Sequence, residues 1–108
     1  MSTEPPGSFT VRASDVDGVL VLVARGELDV DGAAQLTALV PADLSRPVAV
    51  DLSGITFLDS TGLRSLLEVQ KRCDEAGRPC SLVRPSAAVT RVLDLVALAG
   101  AFTITDSV

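Results

Sequence analysis

A single α/β domain is predicted, with a mixed, mostly parallel sheet of four to five strands, an antiparallel N-terminal strand and three to four helices. Three observations predict it. The 108 residues make one ordinary domain and are too few for a second core. Apolar residues make up 47% of the chain and mean hydropathy is +0.42, yet the longest uninterrupted apolar run is Val19 to Ala24. That is far short of the roughly 20 residues that cross a bilayer, so the hydrophobicity belongs to a core. Finally, stretches with a strand's period alternate with stretches of a helix's period, as in parallel strands joined by right-handed crossovers.

The elements follow in chain order. Met1 to Ser8 (MSTEPPGS) reads as a polar, disordered tail, with the domain occupying residues 9–108. No charged start and apolar stretch mark a signal peptide there, and a cytoplasmic location is expected. Phe9–Ala13 and Val19–Ala24 flank the turn signal Asp15-Val16-Asp17-Gly18, which predicts a hairpin whose second, more apolar strand is interior. From Asp31 the spacing becomes helical, with Ala33, Leu36, Leu39 and Val40 on one face and Pro41 as the stop. Arg46–Leu52 (RPVAVDL) is a continuous apolar run turning polar at Asp51, as in a strand covered on both faces, and a loop is expected at its C-terminal end. After Ser60, Leu63, Leu66, Leu67 and Cys73 recur at helical spacing until Gly77 and Pro79. Cys80–Val83 is a further strand. Ser86 caps a third helix with the stripe Val89, Val92, Leu93 and Val96, and Phe102 with Ile104 marks a short last edge strand.

Composition excludes several kinds of chemistry. The net charge of −5 and the acidic pI argue against nucleic acid and against an anionic membrane as direct partners. Eight arginines and Lys71 are scattered rather than clustered. There is no histidine, the usual base for a nucleophilic serine or cysteine. Lys71, the one conceivable substitute, lies about 16 Å along the same helix from Ser60. No catalytic residues, and hence no enzyme, are expected. No glycine-rich phosphate loop is present, because a bulky run ending in Asp59 separates Gly54 from Gly62. Cys73 and Cys80 have six residues between them, the spacing of neither a redox pair nor a metal knuckle, and read as two buried free thiols. No metal site and no cofactor are expected; a carboxylate site at Asp29 and Asp31 is the one hard-cation alternative.

The segment Phe57-Leu58-Asp59-Ser60-Thr61-Gly62-Leu63 leaves an apolar stretch and enters a helix through three consecutive residues that favour N-cap positions. The free N–H groups and the positive end of the helix dipole there favour negative charge. A phosphate on Ser60 would add roughly −1.5 to −2 charge without opposing the helix. Read from spacing alone, the same residues serve equally as plain helix caps, with Gly62 allowing close packing.

This constellation resembles that of the STAS-domain anti-sigma factor antagonists of bacteria. Gly26-Glu27-Leu28-Asp29 is similar to the family's GELD segment, Val48–Leu52 followed by Phe57–Leu63 to its central signature, and Ser86–Phe102 to its last helix and closing segment. The resemblance covers nearly the whole chain from Phe9 and implies a STAS-like fold. It also implies partner switching, in which the unphosphorylated protein binds an anti-sigma factor serine kinase and frees the sigma factor. Phosphorylation by that kinase releases it, and a serine phosphatase resets it. Carried over by residue, Ser60 is the phosphoacceptor, Asp59, Thr61, Gly62, Leu63 and Arg64 form the contact surface around it, and Asp29 frames it. ATP and Mg²⁺ would belong to the kinase. Since Thr61 also carries a hydroxyl, the choice of Ser60 rests on the family's register. The chain departs from the family at Val96-Ala97, where many relatives have threonine or serine followed by glycine, so an altered helix end is expected there. Two other readings compete: a non-switching STAS accessory subunit of a transport system, and a receiver-like domain phosphorylated on Asp51. The latter lacks the acidic pair after the first strand and a late lysine.

Overall fold

The computed structural model describes residues 8–108, so the tail expected over residues 1–8 lies outside them except for Ser8, whose carbonyl accepts from the Glu27 N–H at 2.9 Å. Five strands form one sheet in the order β1-β2-β3-β4-β5, comprising β1 (Phe9–Val16), β2 (Val19–Leu28), β3 (Val48–Leu58), β4 (Cys80–Val83) and β5 (Thr103–Thr105). Only β1 and β2 are antiparallel; the other neighbours run parallel. Three α-helices fill the crossovers: α1 (Val30–Ala38), α2 (Ser60–Ala76) and α3 (Ala87–Leu95), with a 3₁₀ turn at Ala99–Ala101. None of the helices among the described residues is long and apolar enough to cross a membrane.

The hairpin turns at Asp17 and Gly18, whose φ values of 51° and 82° match the two-residue turn that Asp-Gly favours. Both hairpin strands run further than the apolar runs suggested, β1 to Val16 and β2 to Leu28. Leu20, Leu22 and Ala24 of β2 join Val48, Val50 and Leu52 of β3 and Leu82 of β4 in the core. Leu36 of α1, Leu66, Val69 and Cys73 of α2, and Val89 and Leu93 of α3 close over them.

The largest departure from expectation is β3, which does not end in a loop after Leu52 but continues to Leu58. The reason is pairing. Strand β2 follows it to Leu28 through two register shifts, and beyond them Glu27 faces Phe57 and Leu28 faces Leu58. Ile55 and Leu58 stay in the core while Ser53, Thr56 and Phe57 point outward. In the third helix Val96 is not part of the buried stripe. The helix ends at Leu95, and Val96 is 46% exposed while Leu98 turns back to pack on the core. The departure at residues 96–97 has a structural counterpart, since Ala97 adopts φ 56°, a left-handed conformation that glycine takes without strain.

Candidate functional site

Because β2 and β3 are parallel and end in register at Leu28 and Leu58, the chain leaves the sheet twice at one place. Each exit is one aspartate followed at once by a helix. Asp29 caps α1, its Oδ1 accepting from the N–H groups of Asp31 and Gly32, both at 3.1 Å. Asp59 caps α2, its Oδ1 accepting from the Gly62 N–H at 2.8 Å. Asp29 thus stands beside the Ser60 end as a cap of its own helix, and its carboxylate is committed to that role. Among the described residues no three acidic or cysteine side chains gather as a metal site would require.

Ser60 is the first residue of α2 and is exposed. Among the described residues its hydroxyl makes no hydrogen bond. Thr61 is half-buried and lines a shallow groove of about 240 Å³ between α1 and α2, together with Ala33, Thr37, Arg64, Ser65 and Glu68. Of the two hydroxyls, Ser60 is therefore the more accessible.

Gly62 and Leu63 are both buried, and Leu63 belongs to the core. Helical periodicity turns them inward, which removes the Leu63 side chain from the contact surface expected around Ser60. Gly62 has a positional role instead, since a Cβ built there would lie 2.0 Å from the Leu28 carbonyl oxygen. Only glycine lets the first turn of α2 settle against the end of β2.

Arg64 is exposed, and among the described residues it forms no ion pair. It lies one helical turn beyond Ser60, on the same side of α2, within the reach of an i,i+4 pair. Spacing alone could have shown this cation beside the candidate phosphoacceptor. Two exposed apolar residues at the same end of the sheet escaped the sequence reading, Val30 at 63% and Phe57 at 46%. Phe57 figured there only as the first residue of the segment entering α2; past the register shift it faces outward at the end of β3.

Asp51, the competing phosphoacceptor, is 7% exposed. Its Oδ1 accepts from the Ser53 N–H at 3.0 Å and from the Ser53 hydroxyl at 2.7 Å, and its Oδ2 from Arg84 Nη2 at 2.6 Å. Burial pushes its pKa up, but the Ser53 N–H and hydroxyl and the Arg84 guanidinium outweigh it and hold the carboxyl below the usual range. A carboxylate so engaged is a structural tie rather than an open acceptor. Cys73 and Cys80 are buried free thiols; burial raises both, and with the neighbouring Cys73 it pushes Cys80 up to about 12. Neither is a nucleophile near neutral pH.

Residues 9–105 match the family model described as "Mlab, STAS domain". The anti-sigma-F factor antagonist RsfB of Mycobacterium tuberculosis is 36% identical over 74 residues, which span 66% of this chain but only 61% of that relative. An anti-sigma factor antagonist from Mycobacterium paratuberculosis superposes with a TM-score of 0.74 at 25% identity, over 96% of this chain and 91% of that one. The anti-sigma factor antagonist SpoIIAA, in its unphosphorylated form, has the same fold, with a TM-score of 0.71 at 18% identity over 88% and 87% of the two chains.

Proposed function

The chain belongs to the STAS-domain family, and from that premise we propose that it is an anti-sigma factor antagonist switched by phosphorylation of Ser60. The observation that carries this reading is a freely exposed serine hydroxyl at the first position of α2, beside a groove between two helices. The name of the RsfB relative supports the partner class, an anti-sigma factor. In this reading the partner is a serine kinase that binds the unmodified form, phosphorylates Ser60 and lets go, and a serine phosphatase restores binding.

The electrostatics fit an off switch. The N–H groups of the first turn tolerate an anion, and Arg64 lies one turn along, so the fold should survive the phosphate. Asp59, beside it, repels it. Arg64 offers the phosphate a cation from its own chain, yet an exposed pair is worth only about 1 kcal/mol or less. Covering the phosphate with a partner would desolvate it for roughly 3–5 kcal/mol, a loss of about two to four decades of affinity.

The test is incubation with a cognate anti-sigma kinase and ATP. One phosphate should appear at Ser60 by mass spectrometry, and Ser60→Ala should hold the kinase permanently. Ser60→Asp should bind it at least about a hundredfold more weakly. The phosphorylated protein should still unfold cooperatively. A Ser60→Asp chain that bound as tightly as the unmodified one would exclude the charge mechanism. A chain that bound its partner but was never phosphorylated would point instead to the non-switching accessory subunit.

A further inference from the structure

Helix α3 buries Val89 and Leu93 and turns its other side to solvent. On that outer side Leu95 is 79% exposed and, with Ala87, Thr90, Arg91 and Asp94, lines a shallow hollow of about 470 Å³. One exposed leucine is ordinary for a folded surface. This one stands beside an exposed cation and an exposed anion, Arg91 and Asp94, neither of which forms an ion pair among the described residues.

The spacing of those two charges selects the occupant. Three residues apart, they lie on the same side of the helix. Let a second α3 cross antiparallel, with the two-fold axis between residues 92 and 93. Arg91 then faces Asp94 of the second copy, and Asp94 faces its Arg91. One contact generates the other, as an isologous interface requires. The same axis lays Leu95 along the aliphatic stem of Arg91 in the second copy, over the hollow. From the charge reciprocity we infer that the outer face of α3 is a homodimerisation surface, with a second copy of this chain as its partner. A helix of nine residues is only about 13 Å long, so the contact falls below the standard interface size and the dimer is weak and reversible.

Sedimentation equilibrium of the full chain from about 10 μM to about 1 mM tests this, since weak dimers populate in that range. A concentration-dependent monomer–dimer equilibrium is expected. Arg91→Asp, Asp94→Arg and Leu95→Glu should each lower the association constant about tenfold or more, because each is repeated across the two-fold axis. The doubly swapped chain, R91D with D94R, should recover to within about threefold of the original, because it rebuilds both pairs. All three sites of change are on the exposed face, and circular dichroism melts verify that the variants fold. A chain monomeric at every concentration overturns the inference. So does a dimer indifferent to Leu95→Glu, or a double swap no better than the single changes. Ser60→Asp should dimerise normally, so failure of the phosphorylation reading and failure of this one are read separately.

Discussion

A methyl group at residue 62 would lie 2.0 Å from the Leu28 carbonyl oxygen and 2.8 Å from a Leu58 methyl carbon. The first neighbour is backbone and cannot rotate away. Gly62→Ala should therefore destabilise the protein by about 3 kcal/mol, the upper end for overpacking, measured by urea unfolding. It should also shift the first turn of α2, and with it Ser60, so partner binding should weaken even in the fraction that folds. The sequence pointed to Gly62 only as part of a motif and left its role open between contact residue and packing residue. Burial resolves that choice in favour of packing. The helix start at Ser60, in contrast, was legible from Asp59-Ser60-Thr61-Gly62 because capping chemistry is local, whereas the choice of Ser60 as phosphoacceptor came only from the family resemblance.

At the scale of elements, the ends were harder to read than the middles. Gly77 at the end of α2 has φ 68° and was readable as a stop. The end of α1 had only Pro41 as a signal, and beyond its local Leu39 and Val40 N–H bonds it is held from elsewhere. Arg72 of α2 donates to the carbonyls of Thr37 at 3.1 Å and Val40 at 3.4 Å, 35 and 32 residues away in the chain. No local pattern encodes such a contact. At the end of α3 Ala97 occupies a left-handed conformation at φ 56°. Its N–H donates to the Asp94 carbonyl and the Leu98 N–H to that of Leu93, which closes the helix with alanine where glycine suits better. Ala97→Gly should relieve that strain, offset in part by the extra freedom of the unfolded chain. A net stabilisation of about 0.5 kcal/mol is expected, a rise of roughly 2–4 °C in melting temperature by calorimetry.

For the molecule as a whole, the Asp51–Arg84 tie joins β3 to the turn after β4 and to the C-terminal strand. Arg84 sits at φ 46°, its N–H donates to the Thr105 carbonyl at 2.8 Å, and the next turn returns through the Ser86 N–H to the Leu52 carbonyl at 3.2 Å. The arginine side chain is 52% exposed, so the ion pair alone contributes little. The buried carboxylate with its Ser53 bonds carries more. Its pKa is lower folded than unfolded, so its stabilisation is complete above the ordinary aspartate value and is lost as pH falls through the folded value, below about pH 4. Asp51→Asn should cost about 1–3 kcal/mol at neutral pH. It should also flatten the acid limb of the stability–pH curve, followed by urea melts at successive pH values. A steep acid limb retained in Asp51→Asn would assign that limb to other carboxylates.

What the sequence determined by itself was local: the Asp-Gly hairpin turn, the apolar stripe of α2, the glycine that ends it, the strand at Cys80–Val83, and a helix start able to seat a phosphate on Ser60. Each follows from the period of apolar residues or from the φ preferences and hydrogen bonds of a few neighbouring residues. The tertiary structure decided the rest. It carried β3 to Leu58 because β2 was there to pair with it, set the two capping aspartates side by side, turned Leu63 inward and left Arg64 outward next to Ser60. Those outcomes depend on pairing and close contact between residues distant in the chain, and such contacts exist only once the sheet has formed.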